Sequence, residues 1–107
     1  MIDESLEATI RRMKQIRAYF GRDANGDPVA QEKFAARFGI SDSAWSNFER
    51  TRRPGLDNAL GIVRHLPMLT LDWIYRGDPR GVQLDVIRAL EAAGEPPPRT
   101  KVKSGRP

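Results

Sequence analysis

The side chains best suited to specific chemistry lie in one short stretch of the chain, "SDSAWSNFERTRR" at 41–53. They include a carboxylate, hydroxyls, an amide and guanidiniums, at Asp42, Ser43, Ser46, Asn47, Arg50, Arg52 and Arg53. Hydroxyls and amides both donate and accept hydrogen bonds, and guanidiniums bond strongly to anions. No histidine or cysteine lies among them to activate a nucleophile. The stretch therefore offers non-covalent recognition rather than catalysis.

The composition of the chain argues against an enzyme. There is no cysteine, which excludes disulfides, thiolate metal sites and thiol catalysis. The one histidine, His65, cannot build a metal site or a triad alone, so we expect a surface or partly buried role. Other carboxylates fall at turns and helix starts, where acids cap helices, at Asp57, Asp72, Asp78 and Asp85. We expect no catalytic residue, no metal and no cofactor.

The net charge of +4 is concentrated at one end of the chain. Residues 95–107 carry four basic side chains and one acidic side chain, which leaves the remainder nearly neutral. A high isoelectric point alone is therefore weak evidence for a nucleic-acid partner. No apolar run approaches the ~20 residues that span a bilayer, and the acidic N-terminus lacks the apolar core of a secretory signal. We expect a cytoplasmic protein that does not enter a membrane.

Apolar residues recur at three- and four-residue steps through most of the sequence, a period typical of amphipathic helices. The pattern predicts helices over about 6–20, 28–38, 42–51, 56–66, 71–76 and 82–93. Asp27 is expected to cap the second helix, with Pro28 in its first turn. Thr70 is expected to cap the fifth helix, and Gly77 to end it. No strand-like alternation is present, so the predicted fold is all-α.

The sequence around Gly39 predicts two helices joined by a tight turn. A left-handed residue that ends a helix is usually glycine, and Ser41 can cap the next helix through its hydroxyl. Trp45 and Phe48 lie three apart and are expected to face the core. The opposite face carries small polar residues, which are poor helix formers, so a requirement other than helix stability is expected to have selected them. That interpretation requires the Trp45 indole to be buried.

The frame "QEKFAARFGISDSAWSNFER" resembles the phage-repressor, Cro and Xre class of helix-turn-helix DNA-binding domains. The matching residues are Gln31, Ala35, Gly39, Ile40, Phe48 and Glu49, followed by Arg52, Arg53 and Pro54 and by "LDWIYRG". The resemblance covers about 6–77 and implies a compact five-helix domain at 1–77. An additional C-terminal helix at 78–94 is a candidate for dimerisation or for covering the core. The basic, proline-rich tail at 95–107 is expected to be disordered.

The resemblance implies that the helix at 42–51 enters the major groove of double-stranded DNA. Base contacts would come from Asp42, Ser43, Ser46 and Asn47. Backbone contacts would come from Gln31, Ser41, Arg50, Arg52 and Arg53. Two roles stay open for Asp42, which can accept a hydrogen bond from cytosine or simply favour the helix N-terminus. Glu49 is expected to hold a backbone or arginine partner.

The sequence thus predicts a sequence-specific transcriptional regulator of the bacterial or phage nucleoid, acting as a homodimer and without an evident small-molecule substrate. An alternative is a protein-interaction or antitoxin-like adaptor that keeps the fold without reading DNA. It is motivated by the carboxylate of Asp42 on the presumed reading face and by the nearly neutral folded region. A second alternative is RNA binding through the basic tail.

Overall fold

The computed structural model describes residues 2–94, which form six helices. Their bounds are α1 Leu6–Phe20, α2 Gln31–Ala36, α3 Asp42–Phe48, α4 Leu56–His65, α5 Leu71–Arg76 and α6 Leu84–Gly94. Within that range, strand-like pairing is limited to one isolated bridge between Arg22 and Pro28. The all-α prediction is confirmed. None of the helices in this part of the chain is long and apolar enough to cross a membrane. The tail at 95–107, predicted to be disordered, lies outside the described residues.

Side-chain caps begin three of the helices. The Ser41 hydroxyl accepts a hydrogen bond from the Ala44 N–H at 3.1 Å, and the Thr70 hydroxyl accepts one from the Trp73 N–H at 3.0 Å. Each hydroxyl satisfies a backbone donor that has no partner within the helix. Both predicted caps are confirmed, and Ser5 caps α1 in the same way. α5 ends at Gly77, whose φ of 71° is left-handed as expected.

The predicted start of α2 at Pro28 is wrong, because the helix begins at Gln31 after an uncapped Ala30. The preceding loop makes its own hydrogen bonds instead. The Val29 N–H donates to the Gly21 carbonyl at 2.9 Å, and the Asp27 N–H donates to the Asp23 carboxylate at 3.0 Å. These bonds hold the segment in an extended arrangement. Gln31 therefore occupies the first position of α2 rather than a place one turn inside it.

Other helix boundaries also differ from the predicted ones. α2 ends at Ala36 and α3 at Phe48, whereas the pattern placed their ends at 38 and 51. After α3 the chain turns tightly, because the Asn47 carbonyl accepts hydrogen bonds from three following backbone N–H groups, those of residues 50–52. α6 begins at Leu84 rather than Val82. Val82 remains buried within the turn that precedes the helix.

The core is formed by the inner faces of α1 to α5 and is closed on one side by α6. Its fully buried side chains include Met13, Ile16, Phe34, Trp45, Ile62, Ile74 and Leu90. α6 lies along α1, and this pair forms the most extensive helix–helix interface in the described chain. Leu56 is 58% exposed. As the first residue of α4, it lies ahead of the turns that pack against the core.

A buried carboxylate organises the turn between α5 and α6. The side chain of Asp78 is 2% exposed and accepts hydrogen bonds from the Arg80 backbone N–H at 3.0 Å and from Arg80 Nη2 at 2.6 Å. These bonds favour the ionised form, so they lower the pKa of Asp78 from 3.8 to about 2. The nearby guanidinium of Arg76, 3.9 Å away, acts in the same direction.

Asp78 should therefore contribute stability that depends on pH. Its folded pKa of about 2 lies below the unfolded value of 3.8, so the unfolded chain binds the proton first. The contribution is complete above about pH 4 and is lost as the pH falls through about 2. Asp78→Asn should lower the melting temperature at pH 7 and flatten the decline in stability between pH 4 and pH 2. Thermal unfolding followed by circular dichroism measures both. The matched control is Asp57→Asn, at an exposed position on α4. The same dependence of melting temperature on pH between 4 and 2 for both variants would contradict the assignment.

Candidate nucleic-acid interface

The turn between α2 and α3 sets the angle at which α3 is presented. Gly39 has a φ of 72°, and the Ile40 N–H donates to the Ala35 carbonyl at 3.1 Å to close the end of α2. Ile40 is 4% exposed and Ala35 is fully buried, so both side chains of this closure belong to the core. The small Ala35 side chain lets the helices pack closely. The arrangement matches the predicted glycine turn.

Trp45 fixes the rotation of α3 about its own axis. Its indole is fully buried and contacts the rings of Phe34 and Phe38 at centroid distances of 5.1 and 5.9 Å. The Trp45 Nε1–H donates a 2.6 Å hydrogen bond to the Glu49 carboxylate, so the polar atom of the ring is satisfied inside the protein. The requirement that the indole be buried is met. The opposite side of α3 is thereby turned away from the core.

Glu49 joins the end of α3 to α1. Arg17 donates to both carboxylate oxygens, from Nε at 2.6 Å and from Nη2 at 2.8 Å. The carboxylate is 8% exposed and accepts three hydrogen bonds in all. This pairing raises the pKa of Arg17, through the hydrogen bond to Glu49 first, against the cost of burial. The sequence left the partner of Glu49 open, and the structure identifies it as Arg17 together with Trp45.

Asp42 and Gln31 connect the starts of α3 and α2. The Gln31 Nε2 donates to Asp42 Oδ1 at 2.8 Å and lies 3.3 Å from the Asp42 carbonyl. This contact exists because α2 begins at Gln31, which places its side chain beside the neighbouring helix N-terminus. Both side chains are at the surface, with Asp42 exposed and Gln31 half-buried. The Ser41 hydroxyl, also at the surface, is occupied by its cap.

The remaining predicted base-contact residues form the outer face of α3. Ser43 is exposed, and Ser46 and Asn47 are half-buried. No hydrogen bond in the described chain uses the Asn47 amide or the Ser46 hydroxyl. Each therefore keeps its donors and acceptors for another molecule. Together with Ser43, they present a small polar surface along the length of α3.

Three arginines follow this face in the turn after α3, and all three are exposed. Arg50 lies 3.4 Å from the Ser46 carbonyl through Nε, and Arg53 donates to the Glu4 carbonyl at 3.0 Å. The guanidinium of Arg52 has no hydrogen-bond partner within residues 2–94. A fourth cation, Arg37, was missed by the sequence reasoning. It is exposed, donates to the Phe20 carbonyl at 3.2 Å, and lies over the Phe34 ring.

The described residues do not assemble a metal centre around this surface. Residues 2–94 contain no group of three or more histidines, cysteines or carboxylates that could hold a metal ion. His65 is exposed, with Nδ1 2.9 Å from the Gly61 carbonyl and its ring against Phe38. What the α2–α3 surface offers is hydroxyls, an amide and guanidiniums in fixed positions. Such groups recognise hydrogen-bonding edges and anions without covalent chemistry.

Removal of the Glu49 carboxylate should loosen α3. Glu49→Ala leaves a buried indole N–H and a guanidinium without their acceptor, so the free energy of unfolding should fall by about 2–4 kcal/mol. The lower part of that range is favoured because Arg17 is 36% exposed and is partly screened by solvent. Urea unfolding followed by tryptophan fluorescence measures the change. Glu32→Ala, on the exposed face of α2, is the control and should cost under ~0.5 kcal/mol. An equal cost for both variants would refute the assigned role of Glu49.

The chain was compared with protein-family models, with curated proteins and with solved structures, and no significant match was found in any of the three.

Proposed function

We propose that this protein is a sequence-specific DNA-binding transcriptional regulator that reads duplex DNA with the outer face of α3. The observation that carries the proposal is the division of α3 into two sides. Trp45 and Phe48 are buried, while Ser46 and Asn47 stay accessible with side chains that make no hydrogen bond within residues 2–94. Ser43 is also exposed, and its hydroxyl lies 3.5 Å from that of Ser41. An α-helix fits the major groove, where base edges carry a distinct pattern of donors and acceptors. Hydroxyls and an amide are suited to that pattern.

Asn47 and Ser46 are assigned the central base contacts. An asparagine amide can form a bidentate pair with adenine, and a serine hydroxyl can donate or accept at several bases. Asp42 and Gln31 are assigned a different role. Because Gln31 donates to the Asp42 carboxylate, the pair is better suited to hold the N-termini of α2 and α3 in register than to read bases. Ser43 completes the reading face at the start of the helix.

The arginines after α3 are assigned to the phosphate backbone. Phosphate contacts position a protein on the duplex and supply affinity without reading sequence. Arg52 is the strongest candidate, since it is exposed and its guanidinium is not used within residues 2–94. Arg50 lies four residues after Ser46 along the chain. It is assigned to a phosphate of the DNA strand whose bases Ser46 contacts. The hydrogen bond from Arg53 to the Glu4 carbonyl ties this segment to the chain before α1.

A homodimer remains part of the proposal, since one helix-turn-helix unit buries little DNA. Symmetric dimers read two half-sites about one helical turn apart. The inner stripe of α6 is already used within the chain, because Leu90 is fully buried and Val86 and Ile87 pack against the core. We therefore expect the two subunits to meet through another surface. The exposed Leu56 at the start of α4 is available for that contact.

Selection of bound duplexes from a random pool tests the reading face directly. The purified protein should enrich a defined motif, and Asn47→Ala and Ser46→Ala should each lose the preference at one position per half-site, because each removes one direct contact. Sequencing of the bound pool measures the motif. Asn58→Ala on α4 is the matched control and should leave the motif intact. Identical motifs for the wild type and the Asn47 and Ser46 variants would reject the assigned face.

The salt dependence of binding tests the phosphate contacts. Arg52→Ala should reduce the slope of log affinity against log salt concentration by about 0.9, since one phosphate contact is lost. Fluorescence anisotropy with a labelled duplex between low and moderate salt measures the slope. Arg88→Ala, an exposed arginine on α6, should leave it unchanged. No binding to random or selected duplexes at low salt would instead favour the adaptor function.

A further inference from the structure

A cleft of about 230 Å³ lies on the side of the molecule where α6 packs against α1. Its walls come from α1, the end of α5, and α6. The residues that line it are Asp3, Arg11, Arg12, Gln15, Trp73, Gly77 and Glu91. None of them belongs to the α3 face or to the arginine turn behind it. The cleft is therefore separate from the proposed DNA surface, and its role has to be argued independently.

Arg12 is a buried cation without a carboxylate partner in the described chain. It is 7% exposed, and its Nε and Nη2 donate to the backbone carbonyls of Ile74 and Asp3 at 3.0 and 2.9 Å. No acidic side chain of residues 2–94 lies within ion-pair distance of its guanidinium. Burial lowers the pKa of Arg12, as expected for a charge taken out of water. The Asp3 carboxylate, which also lines the cleft, offsets this charge in part without forming an ion pair. A ligand carboxylate in the cleft would compensate it further.

Further donors around the cleft have no acceptor within residues 2–94. Arg12 Nη1 is one of them, and it lies only 2.7 Å from the point that a Cβ at Gly77 would occupy, so the glycine is what allows the guanidinium to pack this closely. The amide of Gln15 and the indole N–H of Trp73 are also without hydrogen-bond partners, on side chains that are 8% and 4% exposed. Buried polar groups are nearly always paired. Three such groups lining one cleft indicate a ligand rich in acceptor atoms.

Besides Arg12 and Asp3, the cleft is lined by two side chains of opposite charge. Arg11 on α1 and Glu91 on α6 are both exposed, and neither side chain is engaged in an ion pair with residues 2–94. The volume is below the ~300–1,000 Å³ typical of sites for drug-sized ligands. We infer that the cleft binds a small zwitterion of the free amino-acid class. Its carboxylate would bond to Arg12, Gln15 and Trp73, and its ammonium group to Glu91.

The two tryptophans of the chain provide a built-in probe, because Trp73 lines the cleft and Trp45 is buried beneath α3. The full-length, ¹⁵N-labelled protein is titrated with each of the twenty common amino acids at millimolar concentration. At least one should shift the indole N–H resonance of Trp73 in a saturable manner and leave that of Trp45 in place. The matching amine, the matching carboxylate without its amino group, and inorganic phosphate are titrated as controls. No saturable shift with any amino acid overturns the proposal, and an equal response to phosphate overturns the zwitterion assignment.

Two variants separate a binding role from a structural one. Gln15→Met removes an unpartnered buried amide at similar volume, so it should raise the melting temperature and abolish the shift of Trp73. A lower melting temperature would show that the amide is structural and would overturn its assignment as a ligand contact. Glu91→Gln should weaken binding about fivefold with little change in folding, as expected for one partly exposed charge pair. Glu7→Gln, an exposed acid on α1 outside the cleft, should leave the affinity unchanged.

Discussion

The structure depends on the burial of one indole whose polar atom is satisfied inside the protein. Trp45 contacts the rings of Phe34 and Phe38, and its N–H donates to Glu49, which Arg17 holds in a bidentate pair. Burying an aromatic side chain of about 150–250 Å² contributes roughly 4–6 kcal/mol at ~25 cal/mol per Å², as an upper bound. The free energy of unfolding of a native protein is only about 5–15 kcal/mol, so the burial of this single side chain is large enough to fix the orientation of α3.

α1 is the common support of both surfaces proposed to bind other molecules. Towards one end, Arg17 reaches Glu49 and fixes the end of α3. Five and two residues earlier, Arg12 and Gln15 line the cleft beside α5 and α6. Arg17 and Arg12 have different hydrogen-bond partners. Arg17 is paired with a carboxylate, whereas Arg12 bonds to backbone carbonyls and keeps donor capacity towards the cleft.

Much of the fold could be predicted from local pattern, and the candidate site only in part. The glycine turn at Gly39, the Ser41 cap and the inward direction of Trp45 were all predicted correctly, since each depends on residues within about one helical turn. The start of α2 was predicted wrongly, because a proline after an aspartate is as acceptable in an extended loop as in a first helical turn. The hydrogen bonds of the loop decide between them, and they involve residues across the loop.

The sequence by itself determined the helical class, the position of the turn and the separation of α3 into an apolar side and a polar side. Those properties follow from composition and from a period of 3.6 residues. Only the tertiary structure decided that Glu49 pairs with Arg17, 32 positions away, that Gln31 bonds to Asp42, and that Arg12 borders a cleft. The physical reason is that a long polar side chain has many possible partners. Which one it meets is set by how the helices pack, and that packing is not encoded in the spacing of any one segment.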